Sequence, residues 1–295
     1  MTATVSERAS QVRVGDKLVL ANDRSFTLIA GLNVLESEAL ALEVADALAT
    51  ACAARGVPWI FKASFDKANR SSHTSFRGPG LERGLSWLAA VKSRLEVPIL
   101  TDIHTADQAP IAAEVADVLQ IPAFLVRQTD LIAAAARTAR PLHLKKMQGM
   151  SPDAMGQAVA KAQALGAHGV IACERGTSFG YENLVVDPLS FGTLKALGVP
   201  VTFDVTHALQ LPGALGTATG GRGHRVFELA VAGMSQGLAG LFLECHPSPA
   251  KARCDGPCAL PLGAIGALLD RLVELDALVK SWRPVPLIPP SLEVS

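Results

Sequence analysis

The chain has 295 residues, 49% hydrophobic and 18% charged, a balance that excludes a disordered or fibrous protein and predicts one large core. Its 27 Lys and Arg equal its 27 Asp and Glu, so there is no general attraction for polyphosphate, nucleic acid is not an expected partner, and any phosphate chemistry must be local. The opening MTATVSERAS puts Glu7 and Arg8 where a secretory peptide needs its apolar stretch, and no apolar run reaches the roughly 20 residues that span a bilayer; the expectation is a soluble, cytoplasmic protein with no membrane partner.

Val12-Arg-Val14 and Leu18-Val-Leu20 flank Gly15-Asp16, which predicts a β-hairpin over 12–20. After it, short β-branched runs alternate with longer Ala/Leu segments of helical period. The runs at 27–35, 58–63, 98–103, 118–124, 142–147, 169–174, 200–205 and 240–245 predict parallel strands. Ser37 is placed to cap a helix that stops at Gly56, Ser151-Pro152 starts another, and Asp187-Pro188 a third. Eight such units predict an α/β fold, a (β/α)8 TIM barrel forming a single domain over 1–295, with the N-terminal β-hairpin closing the barrel floor. A doubly wound open sheet is the alternative. No strand is followed by GxGxxG, and the polar strand ends, which an open sheet scatters, converge on one mouth in a barrel. The prolines of 282–295 predict a surface tail.

Strand one brings Asn33 to that mouth. Strand two runs into Lys62, Lys67, Asn69, Arg70 and Ser71, either a fixed cationic pocket for an anionic ligand or a solvated loop. Pro122 bends the chain so that the backbone amides of Ala123 and Phe124 can face the mouth, and Arg127-Gln-Thr-Asp130 opens helix four. In Lys145-Lys146 alternation admits one lysine to the interior, with His143 on the side of Lys145; such a lysine forms a Schiff base or neutralises a phosphate or carboxylate. Arg175 offers its planar fork to phosphate or pairs with Glu174. His207, Glu244 and Asp255 make a divalent-metal triad in need of another ligand. Asn33 is a poor one, and without metal the same residues can bind hydroxyls or orient water. The loop over 209–221, closing on Arg222, has the composition of a lid or of a loop with no role. Five cysteines, at 52, 173, 245, 254 and 258, suggest no disulfide scaffold, and Cys254-x-x-x-Cys258 is a weak zinc signal.

Gly31-Leu-Asn-Val-Leu-Glu-Ser37, Lys62-Ala-Ser-Phe-Asp-Lys-Ala-Asn-Arg-Ser-Ser72, Gly78-Pro-Gly-Leu-Glu82, Gln120-Ile-Pro-Ala-Phe124, Arg127-Gln-Thr-Asp-Leu131, Phe179-Gly-Tyr-Glu-Asn-Leu-Val-Val-Asp187, Phe203-Asp-Val-Thr-His-Ala-Leu-Gln210 and Cys254-Asp-Gly-Pro257 resemble, in order, the family of 3-deoxy-D-manno-octulosonate 8-phosphate synthases. The likeness runs from strand one to the last helix. It implies condensation of phosphoenolpyruvate with D-arabinose 5-phosphate, release of inorganic phosphate, a homotetrameric barrel, and a product used in lipopolysaccharide synthesis. By motif, Lys67, Lys145, Arg175 and the Ala123 backbone are implied as the phosphoenolpyruvate site, with Lys62, Gln148 and His207 beside them. Asn69 and Asp255 are implied as contacts for sugar hydroxyls, and Arg70, Ser71 and a neighbouring subunit's Arg127 as the clamp on the sugar phosphate. The implied catalytic set is Lys67, Lys145, His207, Asp255 and Asn33; the attacking water falls to His207, Asp255 or the reacting phosphate.

Within that family the metal-dependent form has Cys where this chain has Asn33. The resemblance therefore implies a metal-independent enzyme with no cofactor, in which Asn33, His207, Glu244 and Asp255 are a vestigial metal site. The strand-five pattern of that form, Asn-Val-Lys-Lys-Pro-Gln-Phe, is here His143-Leu-Lys-Lys-Met-Gln-Gly149. This predicts a titratable group near the phosphoenolpyruvate carboxylate and the loss of an aromatic wall. Alternatives are a sister synthase using another aldose and a phosphosugar-binding barrel without catalysis.

Overall fold

The computed structural model describes residues 11–70, 72–213 and 220–283. Eight parallel strands form its centre: β1 Thr27–Val34, β2 Trp59–Ser64, β3 Ile99–Asp102, β4 Val118–Ile121, β5 Leu142–Lys145, β6 Val170–Glu174, β7 Val201–Asp204 and β8 Gly240–His246. Each pairs with the next, and β8 pairs with β1 through Gly240↔Thr27 to Glu244↔Gly31, which closes the barrel and leaves no open edge. The open-sheet alternative is thereby excluded.

The helices that follow the strands are α1 Glu38–Ala53, α2 Leu81–Leu95, α3 Gln108–Ala113, α4 Thr129–Ala136, α5 Pro152–Ala164, α6 Leu189–Ala196, α7 Val226–Met234 and α8 Ile265–Ser281. Ser37 caps α1 by accepting from the Leu40 amide at 3.1 Å, and Ser151 caps α5 by accepting from the Ala154 amide, also at 3.1 Å. At α6 the cap position falls on Pro188, while the Asp187 carboxylate accepts from the Leu189 amide at 2.9 Å.

Alternation along the strands divides the apolar side chains into two layers. One set, including Phe61, Leu119, Leu144, Phe203 and Leu243, packs outward against the helices. The other, Ile29, Ile60, Leu100, Val118 and Ile171, fills the lower interior and meets Val12, Val14, Leu18 and Leu20 of the hairpin Gln11–Val14/Leu18–Ala21. The hairpin is the barrel floor, so the interior is a packed core below and can open only above.

Three sequence expectations shift at the upper rim. The fourth strand stops at Ile121, because Pro122 turns Ala123–Leu125 into a 3-10 helix, and the fifth stops at Lys145. After Asp204 the chain enters a single helical turn, Val205–Ala208, so His207 projects from a turn and not from the strand. The loop over 209–221 is tied at its base by Gln210–Leu211 pairing with Gly220–Gly221; its stretch 214–219 lies outside the described residues, as do Ser71 and 284–295 of the expected tail.

Candidate active site

The carboxyl ends of the strands surround a cavity of about 890 Å3. Lys62, Lys67 and Lys145 line it, with Arg175 from the end of β6 and Arg70 from the loop after β2. Asn69, Ala123, Gln148, His207 and Asp255 complete the expected constellation around the same space. Arg127 is exposed and does not line it, Asn33 and Glu244 lie behind its wall and not on its lining, and Ser71 falls outside the described residues.

Two of the lysines are fixed directly by a carboxylate from another strand, and the third through a hydroxyl. Lys145 donates to Asp204 on β7, Lys62 to Glu244 on β8 at 2.7 Å, and Lys67 to the Ser64 hydroxyl at 2.9 Å, which itself donates to Asp102 on β3. The ring of Phe242 lies beneath two of these cations, its centroid 3.7 Å from Lys145 Nζ and 5.3 Å from Lys62 Nζ. Ammonium groups held from below present their free face to the cavity without reorganising. Lys146 takes the opposite side of β5, where it is fully buried between Glu174 at 3.2 Å and the carbonyl oxygens of Met150 and Gly176. Alternation thus leaves Lys145 as the inner lysine, as expected.

Local register explains how Asn33 reaches the interior. The β1–β2 pairing is irregular between Gly31 and Val34, and a Cβ at Gly31 would lie 2.0 Å from the Lys62 carbonyl oxygen. Only glycine permits that approach. The Asn33 amide nitrogen donates to Glu244 Oε2 and, at 3.1 Å, to Asp255 Oδ2. His207 Nε2 stands 3.5 Å from Glu244 Oε2 and 3.9 Å from Asp255 Oδ2, with Nδ1 2.7 Å from Asp204 Oδ2. His207, Glu244 and Asp255 therefore meet as the triad foreseen from sequence, their ligand atoms within 4.8 Å of one another. Asp255 itself adopts a left-handed backbone, φ 49° and ψ 29°, which Asp tolerates better than most residues and which swings its carboxylate into the mouth.

The charges set one another's protonation. Burial pushes the Glu244 carboxyl up, but His207, Lys62, Lys67 and Lys145 outweigh it and bring Glu244 down to about 2. Burial likewise opposes ionisation of Asp102 and Asp204, and the neighbouring cations, Lys67 and His104 for the first, His207 and Lys145 for the second, hold both well below the usual carboxylate range. For Lys67 burial is overcome by Asp102 and Glu244, which raise it above the ordinary lysine value. Burial draws Lys62 down despite Glu244.

Among the buried polar atoms left without hydrogen-bond partners in the described residues are one on Arg175 and one on Gln148, side chains that line the cavity and are implied as substrate contacts. Arg175 gives one guanidinium nitrogen to Gln210 Oε1 at 2.9 Å, while Nη1 is unpartnered, and Gln148 Oε1 is unpartnered too. Glu174 is engaged by the backbone amides of Arg175 and Gly176, at 2.8 and 2.7 Å, and by Lys146, so the side-chain pairing of Arg175 with Glu174 does not form. A buried donor on Arg175 and a buried acceptor on Gln148, both left open beside a cavity, are suited to a polar ligand.

Sequence reasoning passed over Asp102, His104, Asp204 and Gln210. Asp102 and His104 stand two apart at the end of β3, 3.1 Å from carboxylate to imidazole, and Gln210 bridges Arg175 to Asp255 Oδ2 at 3.0 Å. Their signal was position: each lies at or just beyond the end of a strand. The two departures read from strand five take definite places as well. His143 is wholly buried under the cavity, brought down to about 3 by burial with Lys145 adding to the effect, so it is no titratable group at the mouth. Gly149 follows Gln148, which lines the cavity, and does not line it itself. Cys258 is buried as expected, beside the Gly220 carbonyl.

Residues 5–281 match the DAHP synthetase I family. A 2-dehydro-3-deoxyphosphooctonate aldolase of Marinobacter nauticus is 57% identical over 266 residues, 90% of this chain and 95% of that one. Proteins of the same description from Acinetobacter baylyi and Azotobacter vinelandii are each 54% identical, over 92% and 93% of this chain and 95% and 97% of theirs.

Proposed function

The chain belongs to the DAHP synthetase I family, and from that premise we infer that it is a 3-deoxy-D-manno-octulosonate 8-phosphate synthase. It condenses phosphoenolpyruvate with D-arabinose 5-phosphate and water, releases inorganic phosphate, and supplies lipopolysaccharide synthesis. The observation that carries this reading is the meeting of Lys67, Lys145 and Arg175, from three different strand ends, around one cavity. Two phosphates and a carboxylate must enter one mouth, and fixed cations offset their mutual repulsion before any bond forms.

In the reaction C3 of the enol attacks the aldehyde carbon, water adds at C2, and the resulting hemiketal phosphate collapses with carbon–oxygen cleavage. Lys67, Lys145, Arg175, Gln148 and the Ala123 amide hold phosphoenolpyruvate, with Lys62 and His207 at the same wall. Asn69 and Asp255 receive sugar hydroxyls, and Arg70 and Ser71 take the sugar phosphate, with Arg127 contributed by a neighbour in a homotetramer. His207 and Asp255 border the face where water adds at C2. No helix among the described residues is long and apolar enough to cross a membrane. A cytoplasmic location suits charged, phosphorylated substrates.

The enzyme works without a metal ion. The donor set supports this: Asn33 is neutral, and its N–H groups, which cannot ligate a cation, are aimed at Glu244 and Asp255. Phosphate release from phosphoenolpyruvate, measured separately with arabinose 5-phosphate, erythrose 4-phosphate and N-acetylmannosamine, tests the assignment. Release with the pentose phosphate alone is expected. Release with another aldose makes the chain a sister synthase, and release with none makes it a binding protein.

A further inference from the structure

His143 is fully buried in the barrel, one layer beneath the reactive mouth, at the register position Gln120↔His143. Both ring nitrogens are engaged: Nδ1 lies 3.0 Å from Gln120 Oε1 and Nε2 2.9 Å from Thr202 Oγ1. Its ring stacks on Phe242, the plate under Lys62 and Lys145, with 6.0 Å between centroids and 12° between planes. Gln120 lines the cavity, and its Nε2 has no hydrogen-bond partner among the described residues.

Two proton arrangements fit a neutral imidazole here. With the proton on Nδ1, His143 donates to Gln120 Oε1, Thr202 donates to Nε2, and the Gln120 –NH2 faces the cavity. With the proton on Nε2, Thr202 must accept and turn its own proton to the Ala172 carbonyl, Gln120 must flip to donate to Nδ1, and its oxygen faces the cavity. The Gln120 amide presents Oε1, an acceptor, to Nδ1 at 3.0 Å, as the first arrangement requires, while the second needs the Thr202 proton on the longer, weaker contact to the Ala172 oxygen at 3.4 Å. A carbonyl oxygen turned toward an anion repels it, whereas an amide donor binds it.

We propose that His143 is a positioning residue for the anionic substrate: its Nδ1–H donates to Gln120 Oε1 and locks the Gln120 –NH2 toward the cavity. The charged groups that face His143 are Lys145 on its own strand, Asp204 on β7 and Lys62 on β2, and burial together with Lys145 and Lys62 keeps the imidazole neutral against Asp204. The identity of the anion, phosphoenolpyruvate, rests on the function inferred above; the tautomer does not.

The test therefore has two arms on the full-length protein. Long-range proton–nitrogen correlation spectra of the histidine-labelled, ligand-free enzyme, assigned by loss of signal in His143→Asn, should show His143 protonated on Nδ1 only. An Nε2–H or doubly protonated ring at neutral pH overturns the proposal. In kinetics His143→Leu, which cannot donate, should raise KM for phosphoenolpyruvate about tenfold, leaving kcat and KM for the aldose phosphate within about twofold. His143→Asn, whose amide nitrogen takes the place of Nδ1, should restore most of that affinity. Equal loss for both substrates, or an Asn variant no better than Leu, overturns the proposal. An unmodified enzyme inactive with every aldose removes the inferred function and leaves the spectra to decide the tautomer.

Discussion

The amide nitrogen of Asn33 lies 3.1 Å from Asp255 Oδ2, so a hydrogen-bond donor stands where the carboxylates of a metal site would face their cation. Two consequences can be measured. Phosphate release should be unchanged after dialysis against a strong chelator. Asn33→Cys, which replaces the donor by a soft thiolate beside His207, Glu244 and Asp255, should bind about one zinc or manganese ion per subunit in equilibrium dialysis. Wild-type activity that a chelator abolishes and manganese restores would contradict the reading.

Lys62 and Glu244 form an ion pair in which each side chain is 1% exposed. Removing one partner leaves the other charge buried and unpaired, which costs about 3–5 kcal/mol. Lys62→Met should therefore lower the urea midpoint markedly as well as weaken phosphoenolpyruvate binding. Lys62→Met combined with Glu244→Gln should recover much of the stability but not the binding. Unfolding curves for the two variants distinguish these outcomes; a single variant as stable as the wild type would refute the argument.

Much of this architecture is legible in the amino-acid sequence itself. Strand ends are legible because buried parallel strands are largely apolar runs and a charged residue near their end marks the rim, as Lys62, Lys145 and Glu244 do. Partnerships across the barrel were not legible, because register alone brings Lys145 to Asp204, 59 positions away, or Asn33 to Glu244, 211 positions away. His143 shows the same limit. Alternation placed it inside, but only the neighbours Gln120, Thr202 and Phe242 reveal that it sits beneath the mouth as a neutral group.

Arg127 is exposed near the rim formed by Ala123 and Phe124, yet it does not line its own cavity. If it completes a neighbour's sugar-phosphate site, Arg127→Ala should raise KM for arabinose 5-phosphate at least tenfold with little change in stability, as for loss of a charge-assisted contact. Mixed oligomers with a variant inactive through Lys145→Met should regain activity, because some sites then combine an intact Lys145 with a neighbour's intact Arg127. Absence of regain in such mixtures would show that Arg127 acts within its own subunit or not at all.

All five cysteines are buried, and burial pushes the thiols of Cys52, Cys173, Cys254 and Cys258 up to about 12 and Cys245 higher still. Since the thiolate is the reactive form, native protein at pH 8 should react with an aromatic disulfide reagent far more slowly than a free thiol. Denaturant should expose all five. Cys254, at the cavity wall beside Arg70, should be the first to react. A native thiol modified at the free-thiol rate would contradict the closed geometry around it.

Acid should act on this fold in two stages. His143 falls from an ordinary 6.5 to about 3 in the folded protein, because burial and then Lys145 disfavour its protonation. Between those values the unfolded chain takes up a proton that the native state refuses, so the His143 contribution is fully present above pH 6.5 and lost as pH falls toward 3. Glu244 falls from 4.5 to about 2, its cationic neighbours outweighing burial, and contributes stability that is complete above 4.5 and lost below it. Asp102 and Asp204, also depressed, add to this lower stage. The urea midpoint should begin to decline below about pH 6.5 and steepen below about 4.5, each stage being worth on the order of a few kcal/mol. His143→Asn has no proton to gain at that site, so it should flatten the upper stage and keep the lower one. Equal slopes for the two proteins between pH 6.5 and 5 would mean that another group carries the upper stage.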